Sequence, residues 1–433
     1  MKDSHSSPQK LAEIESRFVD IAPSLSQAEA MLEANRCLYC YDAPCIPACP
    51  THIDIPSFIK KISTGNRDGS ARVIFDANPI GGSCARVCPV EVLCEGACVE
   101  KTLVNKPIQI GRLQRYATDH AIQNKVEVFE RGEANGKKVA VIGSGPAGLS
   151  CATYLARDGF EVTVFEKKPL PGGLNTYGMA EYKMTQSESL EEIRLIEDLG
   201  VRFETNSEIT AEKFFKSVES YDAIFLATGL GKTRILGIPG EDKSGVIDAL
   251  TFIESVKTRD WEKLEVPQSV VVIGAGNTAI DAATQAKRLG AESVTIVYRR
   301  SEADAPAHEY EMEIARKDGI HFRWNTSPIE VLGAEQVEAI RCRVNNSQEI
   351  DIPCNSVITA IGQNKTTEFF KSLGVATDEN GRVVVDEDFQ TSMPMVFAGG
   401  DCVNGGSEAV FAAQEGKLAA QGIRKLLGVV AKS

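Results

Sequence analysis

The sequence predicts an α/β protein: an N-terminal α-helical, cysteine-rich domain followed by two Rossmann-like folds, the second inserted in the first. Three observations predict it. Eight of the twelve cysteines fall between positions 37 and 98. The order strand, glycine turn, helix, strand occurs twice, beginning at Lys137 and at Gln268. A further strand, glycine turn and long helix, MVFAGGDCVNGGSEAVFAAQEGKLAAQGI, lies beyond the second repeat.

Composition sets the outer limits. A chain of 433 residues is too long for one ordinary core and suggests two or three domains. Hydrophobic residues make up 43% and charged residues 25%, a globular balance. Net charge is −13 with no Lys/Arg run, which argues against nucleic acid or an anionic membrane as partner. The opening stretch MKDSHSSPQKLAEIESRFVD has no apolar core of a signal peptide. No apolar run approaches the ~20 residues of a membrane helix. The expected location is cytoplasmic, where stable disulfides are uncommon.

The cysteines come first in chain order. Residues 37–50 read CLYCYDAPCIPACP, spaced C-x2-C-x4-C-x3-C and closed by Pro50; residues 84–98 read CARVCPVEVLCEGAC, with Cys88 before Pro89. A disulfide knot, a zinc site and an iron–sulfur cluster are the candidates. The expected compartment disfavours the knot. Zinc prefers paired C-x2-C hooks, often with histidine, but the second set lacks such a hook and only His52 is nearby. Ferredoxin-type runs end in C-x3-C-P, and that last cysteine serves the neighbouring cluster. Iron–sulfur is therefore the reading. Around the cysteines, SLSQAEAMLEANR offers a Ser cap and an apolar stripe. IDIPSFIKKISTG has Pro56 in a first turn and Gly65 as a stop, and RDGSARVIFDANP ends at its Asn-Pro. Residues 1–125 are expected to form an α-helical domain around two 4Fe–4S clusters.

The next element is KKVAVIGSGPAGLSCATYLARDGFEVTVFEKK, with Gly143-x-Gly145-x-x-Gly148 between strand and helix and a second strand ending at Glu166. Such glycines let backbone N–H groups approach a pyrophosphate, and the acid about twenty residues on receives a ribose hydroxyl. The repeat, QSVVVIGAGNTAIDAATQAKRLGAESVTIVYRR, carries Gly274-x-Gly276-x-x-Ala279 and ends in Arg299 and Arg300 rather than an acid. Two dinucleotide folds imply two dinucleotides, usually a flavin and a nicotinamide. DAIFLATG (222–229) and SVITAIG (356–362) read as their closing strands. In the last unit Asp401 is placed for the flavin's ribityl chain, and the helix starting near Ser407 can direct its positive end at the ring. The flavin domain is then discontinuous, 126–239 and 363–433, with the NAD(P) domain at 240–362.

These residues resemble the flavin/iron–sulfur electron-input module shared by dihydropyrimidine dehydrogenase and the small subunit of glutamate synthase. The DAP within CLYCYDAPCIPACP, and Gln114 within IGRLQRYATD sixteen residues after Cys98, are most similar to the small subunit of bacterial dihydropyrimidine dehydrogenase. The resemblance implies one cluster on Cys37, Cys40, Cys45 and Cys98, and another on Cys49, Cys88, Cys94 and Gln114. Cys84 is left over; the alternative is that Cys84 is a ligand and Gln114 a polar helix residue. For FAD the resemblance implies Ser144, Gly145, Pro146, Ala147, Gly148, Glu166, Lys167, Gly173, Leu174, Ile209, Gly400 and Asp401. The family's G-x-P-x-x-R-L is here Gly178-Met-Ala-Glu-Tyr-Lys183-Met, so Lys183 keeps the charge of a flavin contact but not the arginine fork. For NADP or NAD it implies Gly274, Gly276, Asn277, Thr278, Arg299, Arg300, Ala360, Ile361 and Gly362.

No side-chain acid, base or nucleophile is needed: electrons enter from NAD(P)H at the flavin and leave singly through the clusters to a partner. Cys342 and Cys354, alone in the nicotinamide domain, form no C-x-x-C pair, so disulfide chemistry of the thioredoxin reductase type is not expected. There is no TIM-barrel pattern or FMN phosphate site. The partner implied is therefore the FMN-containing dihydropyrimidine dehydrogenase subunit that reduces uracil or thymine. The alternatives are the small subunit of glutamate synthase and a redox sensor that turns nothing over. Arg299 and Arg300 suit a 2′-phosphate, whereas the bacterial subunits are NAD-dependent; the residues lean to NADPH.

Overall fold

The computed structural model describes residues 8–258, 261, 267–345 and 347–430. The first seven residues of the polar N-terminal stretch lie outside these. The chain divides into two compact units, Ala22–Thr176 with Ser187–Leu230 and Lys365–Ser433, and Met1–Ile21 with Tyr177–Gln186 and Gly231–Asn364.

The larger unit begins with six helices: Gln27–Ala34, Ile55–Ser63, Arg67–Ala77, Gly81–Val87, Val99–Val104 and Ile110–Gln123. Ser26 caps the first with a reciprocal bond to Glu29, and Asp54 caps the second ahead of Pro56. Phe58, Ile59, Ile62, Ile74, Leu113 and Ala117 close a core on which the cysteines border. A parallel sheet of five strands follows, in spatial order Val396–Ala398, Ala223–Leu226, Lys138–Ile142, Glu161–Phe165 and Arg202–Glu204. Both faces are covered, so the strands read as apolar runs. Helix Ala409–Leu426 lies tight on helix Pro146–Arg157: a Cβ at Gly416 would stand 2.1 Å from the Ala147 carbonyl oxygen. Ser150 Oγ donates to the Ala413 carbonyl across the same seam at 2.6 Å.

The second unit repeats that sheet, in order Val246–Asp248, Ser356–Thr359, Ser269–Ile273, Ser293–Val297 and His321–Arg323. Its strands fall in sequence between the fourth and fifth strands of the first sheet, the predicted insertion. An antiparallel sheet of Thr326–Leu332, Ala339–Val344 and Gln348–Pro353 is added, which the sequence reading did not foresee. Residues 177–186 also pack in this unit, through two buried lysines. Lys183 pairs with Asp281 at 2.8 Å and Glu311 at 2.7 Å; Lys257 pairs with Glu181 at 3.5 Å and donates to the Met184 carbonyl. Among the described residues no helix is long and apolar enough to cross a membrane.

Candidate functional site

The cysteines converge on two cavities. Cys37, Cys40, Cys45 and Cys98 line one with Ile55, Ile59 and Ile108. Cys49, Cys84, Cys88 and Cys94 line the other with Gln114. The sulfur before each proline, Cys49 and Cys88, borders the second. The thiols crowd one another. Burial pushes Cys45 up to about 12, with Cys37 and Cys98 adding to the shift. Cys88 is raised by a hydrogen bond with Cys84 and then by burial, and Cys94 by burial and then Glu95 and Cys49. Cys45, Cys88 and Cys94, with thiols raised this way, favour the protonated form, and a cationic centre such as an iron–sulfur cluster would displace those protons. Among the described residues, no three His, Cys, Asp or Glu side chains close around a point as at a single-ion site. Gln114 Nε2 donates to the Gly81 carbonyl at 2.7 Å, which spares its amide oxygen. Cys84 and Gln114 both face the second cavity.

The flavin turn is built by close backbone packing. A Cβ on Gly143 (φ +102°) would meet the Ala227 carbonyl oxygen at 2.3 Å, and one on Gly148 the Gly143 oxygen at 2.0 Å. A Cβ on Gly145 would meet nothing within 4 Å, so the second glycine leaves open space beside the turn. Pro146 and Ala147 start the helix with no side-chain cap on its amides. Glu166, at the end of the second strand, accepts from Ser144 N (3.2 Å) and Ser144 Oγ (2.5 Å), and Gly173 closes over Gly145. Gly400 (φ +77°) approaches Ala147, and its N–H donates to Glu415 at 2.5 Å. Asp401, its carboxyl raised by burial, accepts from Ser407 N at 3.3 Å. A short helix, Asp401–Asn404, precedes helix Ala409–Leu426, whose N-terminus also lacks a side-chain cap.

Three polar residues here were missed by the sequence reading: Asn175, Thr228 and Glu415. Both amide atoms of Asn175 and the hydroxyl of Thr228 are buried without a partner among the described residues. Each such group costs about 1–3 kcal/mol unless a ligand meets it. The glycine cradle and these unmet groups fit a polar dinucleotide. Their signal was only adjacency, Asn175 to Gly173 and Thr228 to Gly229. Ile209 is buried in an apolar cluster with Phe165, while Lys167 and Leu174 are exposed. Lys183 belongs to the other unit, where it is tied to Asp281 and Glu311.

The second glycine turn copies the first. A Cβ on Gly274 (φ +125°) would meet the Ala360 carbonyl oxygen at 2.3 Å, the counterpart of Ala227, which brings the Ala360–Ile361–Gly362 turn onto the loop. A Cβ on Gly276 would meet, among the described residues, only Pro306 Cγ within 4 Å, at 3.8 Å. Asn277 Oδ1 accepts from His308 N at 3.1 Å, and Thr278 is exposed in the first helical turn. Arg299 and Arg300 are exposed beyond the second strand and make no salt bridge among the described residues. The nearby acids are engaged: Glu302 pairs with Arg316, and Asp304 accepts from Ser301 N and Oγ. Cys342 and Cys354 are buried, with thiols pushed by burial to about 11 and about 12, unlike a reactive redox pair.

Residues 137–416 match the pyridine nucleotide-disulphide oxidoreductase family, and residues 14–126 match the dihydropyrimidine dehydrogenase domain II, 4Fe-4S cluster family. The chain is 35% identical over 408 residues to the NAD-dependent dihydropyrimidine dehydrogenase subunit PreT of Escherichia coli (strain K12), covering 94% of this chain and 97% of the relative. It is 36% identical over 452 residues to the glutamate synthase (NADPH) small chain of Halomonas elongata, covering 95% and 94%. Lactococcus lactis thioredoxin reductase in its FR conformation aligns with a TM-score of 0.55 at 26% identity, over 68% of this chain and 100% of that one. The chain therefore belongs to the pyridine nucleotide-disulphide oxidoreductase family, as an NAD(P)H-dependent oxidoreductase of FAD with an N-terminal 4Fe–4S domain.

Proposed function

We propose that this chain is the electron-input subunit of a larger enzyme, oxidising NAD(P)H and delivering electrons through two 4Fe–4S clusters to a partner. By sequence the cluster domain is 1–125, the FAD domain 126–239 with 363–433, and the NAD(P) domain 240–362, while helix Pro8–Arg17 and residues 177–186 pack with Gly231–Asn364. The observation that carries the reading is Val410. It lines the second cysteine cavity from the first turn of the helix that follows Asp401. One helix thus borders both the flavin turn and a cluster cavity.

Bound here, a flavin would supply two-electron exchange with a nicotinamide and one-electron exchange with iron–sulfur clusters. The chain's own residues bind and orient. The Gly143–Gly148 turn and Glu166 would hold the dinucleotide, Glu415 fixes the Gly400 amide, and Asp401 would bind the ribityl chain. Cys37, Cys40, Cys45 and Cys98 would hold one cluster; Cys49, Cys88, Cys94 and the Gln114 amide oxygen would hold the other. Arg299 and Arg300 are exposed and form no salt bridge among the described residues, though hydrogen bonds from Ser301, with a smaller pull from Arg300, hold the Asp304 carboxyl low. They would receive a 2′-phosphate, so NADPH is the preferred donor.

The partner is the FMN-containing subunit that reduces uracil or thymine to the 5,6-dihydropyrimidine, and the location is cytoplasmic. The DAP stretch and Gln114 favour it. The similarity to the glutamate synthase small chain supports a second reading, in which the partner makes glutamate. The test is affinity purification from the native cell, followed by assay of the complex with uracil and with 2-oxoglutarate plus glutamine. Uracil reduction by the complex, and none by the chain alone, supports the first reading; glutamate formation replaces it with the second.

A further inference from the structure

One buried polar group outside the proposed ligand sets lines the second cysteine cavity without a partner. Asn78 ends helix Arg67–Ala77, fully buried, with the extended backbone (φ −144°, ψ 100°) expected of a residue before proline. Its Oδ1 accepts from Ile80 N at 3.1 Å. Only the amide oxygen can accept there, so the orientation of the side chain is fixed and Nδ2 is turned away from that bond. This Nδ2 is buried and has no hydrogen-bond partner among the described residues. Asn78 shares its cavity with Cys49, Cys84, Cys88 and Cys94. The cavity of Cys37, Cys40, Cys45 and Cys98 is lined by no Asn or Gln.

A buried N–H left unmet is rare in folded proteins and asks for an acceptor. The acceptors that a cluster brings into such a cavity are its inorganic and cysteinyl sulfurs. We propose that Asn78 donates a hydrogen bond from Nδ2 to a sulfur of the cluster in the second cavity and raises that cluster's reduction potential. The inference rests on the two-cluster reading above. Reduction adds negative charge that spreads over the sulfurs, so an N–H donor binds the reduced form more strongly. Removing the donor therefore lowers the potential of this cluster and leaves the other where it was. A fixed donor outside the ligand set acts in this way at metal centres generally.

The test uses the full chain purified without oxygen, with iron counted first. Redox titration followed by EPR is run on wild type and Asn78→Leu, which keeps the branched shape and removes the donor, along with the acceptor of Ile80 N. The expected result is full iron in both and a negative shift of one midpoint potential only. Because the variant can lose its cluster, wild-type protein labelled with 15N only in asparagine side chains is examined by pulsed EPR in the reduced state. A 15N coupling to one cluster is expected. Unchanged potentials in iron-replete Asn78→Leu, or no side-chain 15N coupling in wild type holding both clusters, overturns the proposal. A wild type with no cluster in this cavity overturns the two-cluster reading instead, and the iron count tells these apart.

Discussion

Replacing Gly145 with alanine separates binding from folding, because the three glycines of the flavin turn do different work. Gly145 sits at φ −69° and ψ −179°, extended backbone open to alanine, and its Cβ would meet nothing within 4 Å. The folding cost is that of a weaker helix N-cap, about 0.5–1 kcal/mol. The methyl group instead occupies the space a pyrophosphate needs. The expected loss is about a hundredfold in FAD affinity, ~2.8 kcal/mol at 1.4 kcal/mol per tenfold. Gly148→Ala is the opposite case: its Cβ would stand 2.0 Å from the Gly143 oxygen, so helix and strand must separate. Overpacking of that kind costs about 1–3 kcal/mol of stability. The assay is FAD titration of deflavinated protein by fluorescence quenching, beside denaturant unfolding of the same samples. Gly145→Ala should bind weakly and lose only about 0.5–1 kcal/mol of stability, while Gly148→Ala should unfold earlier. Wild-type FAD affinity in Gly145→Ala would refute the pyrophosphate cradle.

Three further outcomes are expected. Arg299→Ala with Arg300→Ala should lower kcat/KM for NADPH by about a hundredfold, the loss of two charge-assisted contacts, and leave NADH unchanged; equal effects on both donors would remove the phosphate site. Gln114→Ala should alter the EPR signal of one cluster and Cys84→Ser neither, whereas cluster loss in Cys84→Ser alone would exchange their roles. Glu192 accepts from Gly82 N, Ser83 N and Ser83 Oγ, and burial lifts its carboxyl to about 7. A folded value above the unfolded ~4.3 means stability that is full below about pH 4 and is lost as pH rises through 7. Relative to Glu192→Gln, wild type should therefore lose on the order of 3 kcal/mol between pH 4 and 8 in denaturant titrations. A difference that does not vary with pH would contradict this linkage.

Local grammar made much of this molecule legible. Gly143 and Gly274 announce their turns because positive φ and close contact with Ala227 and Ala360 admit no side chain. Ser26 and Asn78 mark helix ends through caps and the residue-before-proline rule. What escaped depends on long-range packing. Glu192 caps the Gly81–Val87 helix from more than a hundred residues away, and nothing in the run QSESLEEIRLIED distinguishes it from its exposed neighbours. The pairing of Lys183 with Asp281 and Glu311, about a hundred or more residues away, is likewise invisible in the stretch Gly178-Met-Ala-Glu-Tyr-Lys183-Met. Asn175 and Thr228 look like turn residues until their unmet polar atoms are seen. The meander of residues 326–353 was hidden by short strands of mixed polarity, such as Gln348–Pro353.

The central claim is that one chain carries electrons from a nicotinamide through a flavin to two clusters. Anaerobic stopped-flow mixing of the pure, iron-counted protein with NADPH tests it most directly, followed at flavin and cluster wavelengths together. The account predicts one FAD and roughly eight irons per chain, with flavin absorbance bleaching first and cluster absorbance following within the turnover time. Zinc in place of iron, or a flavin that reduces while cluster absorbance never changes with an electron acceptor absent, would contradict it.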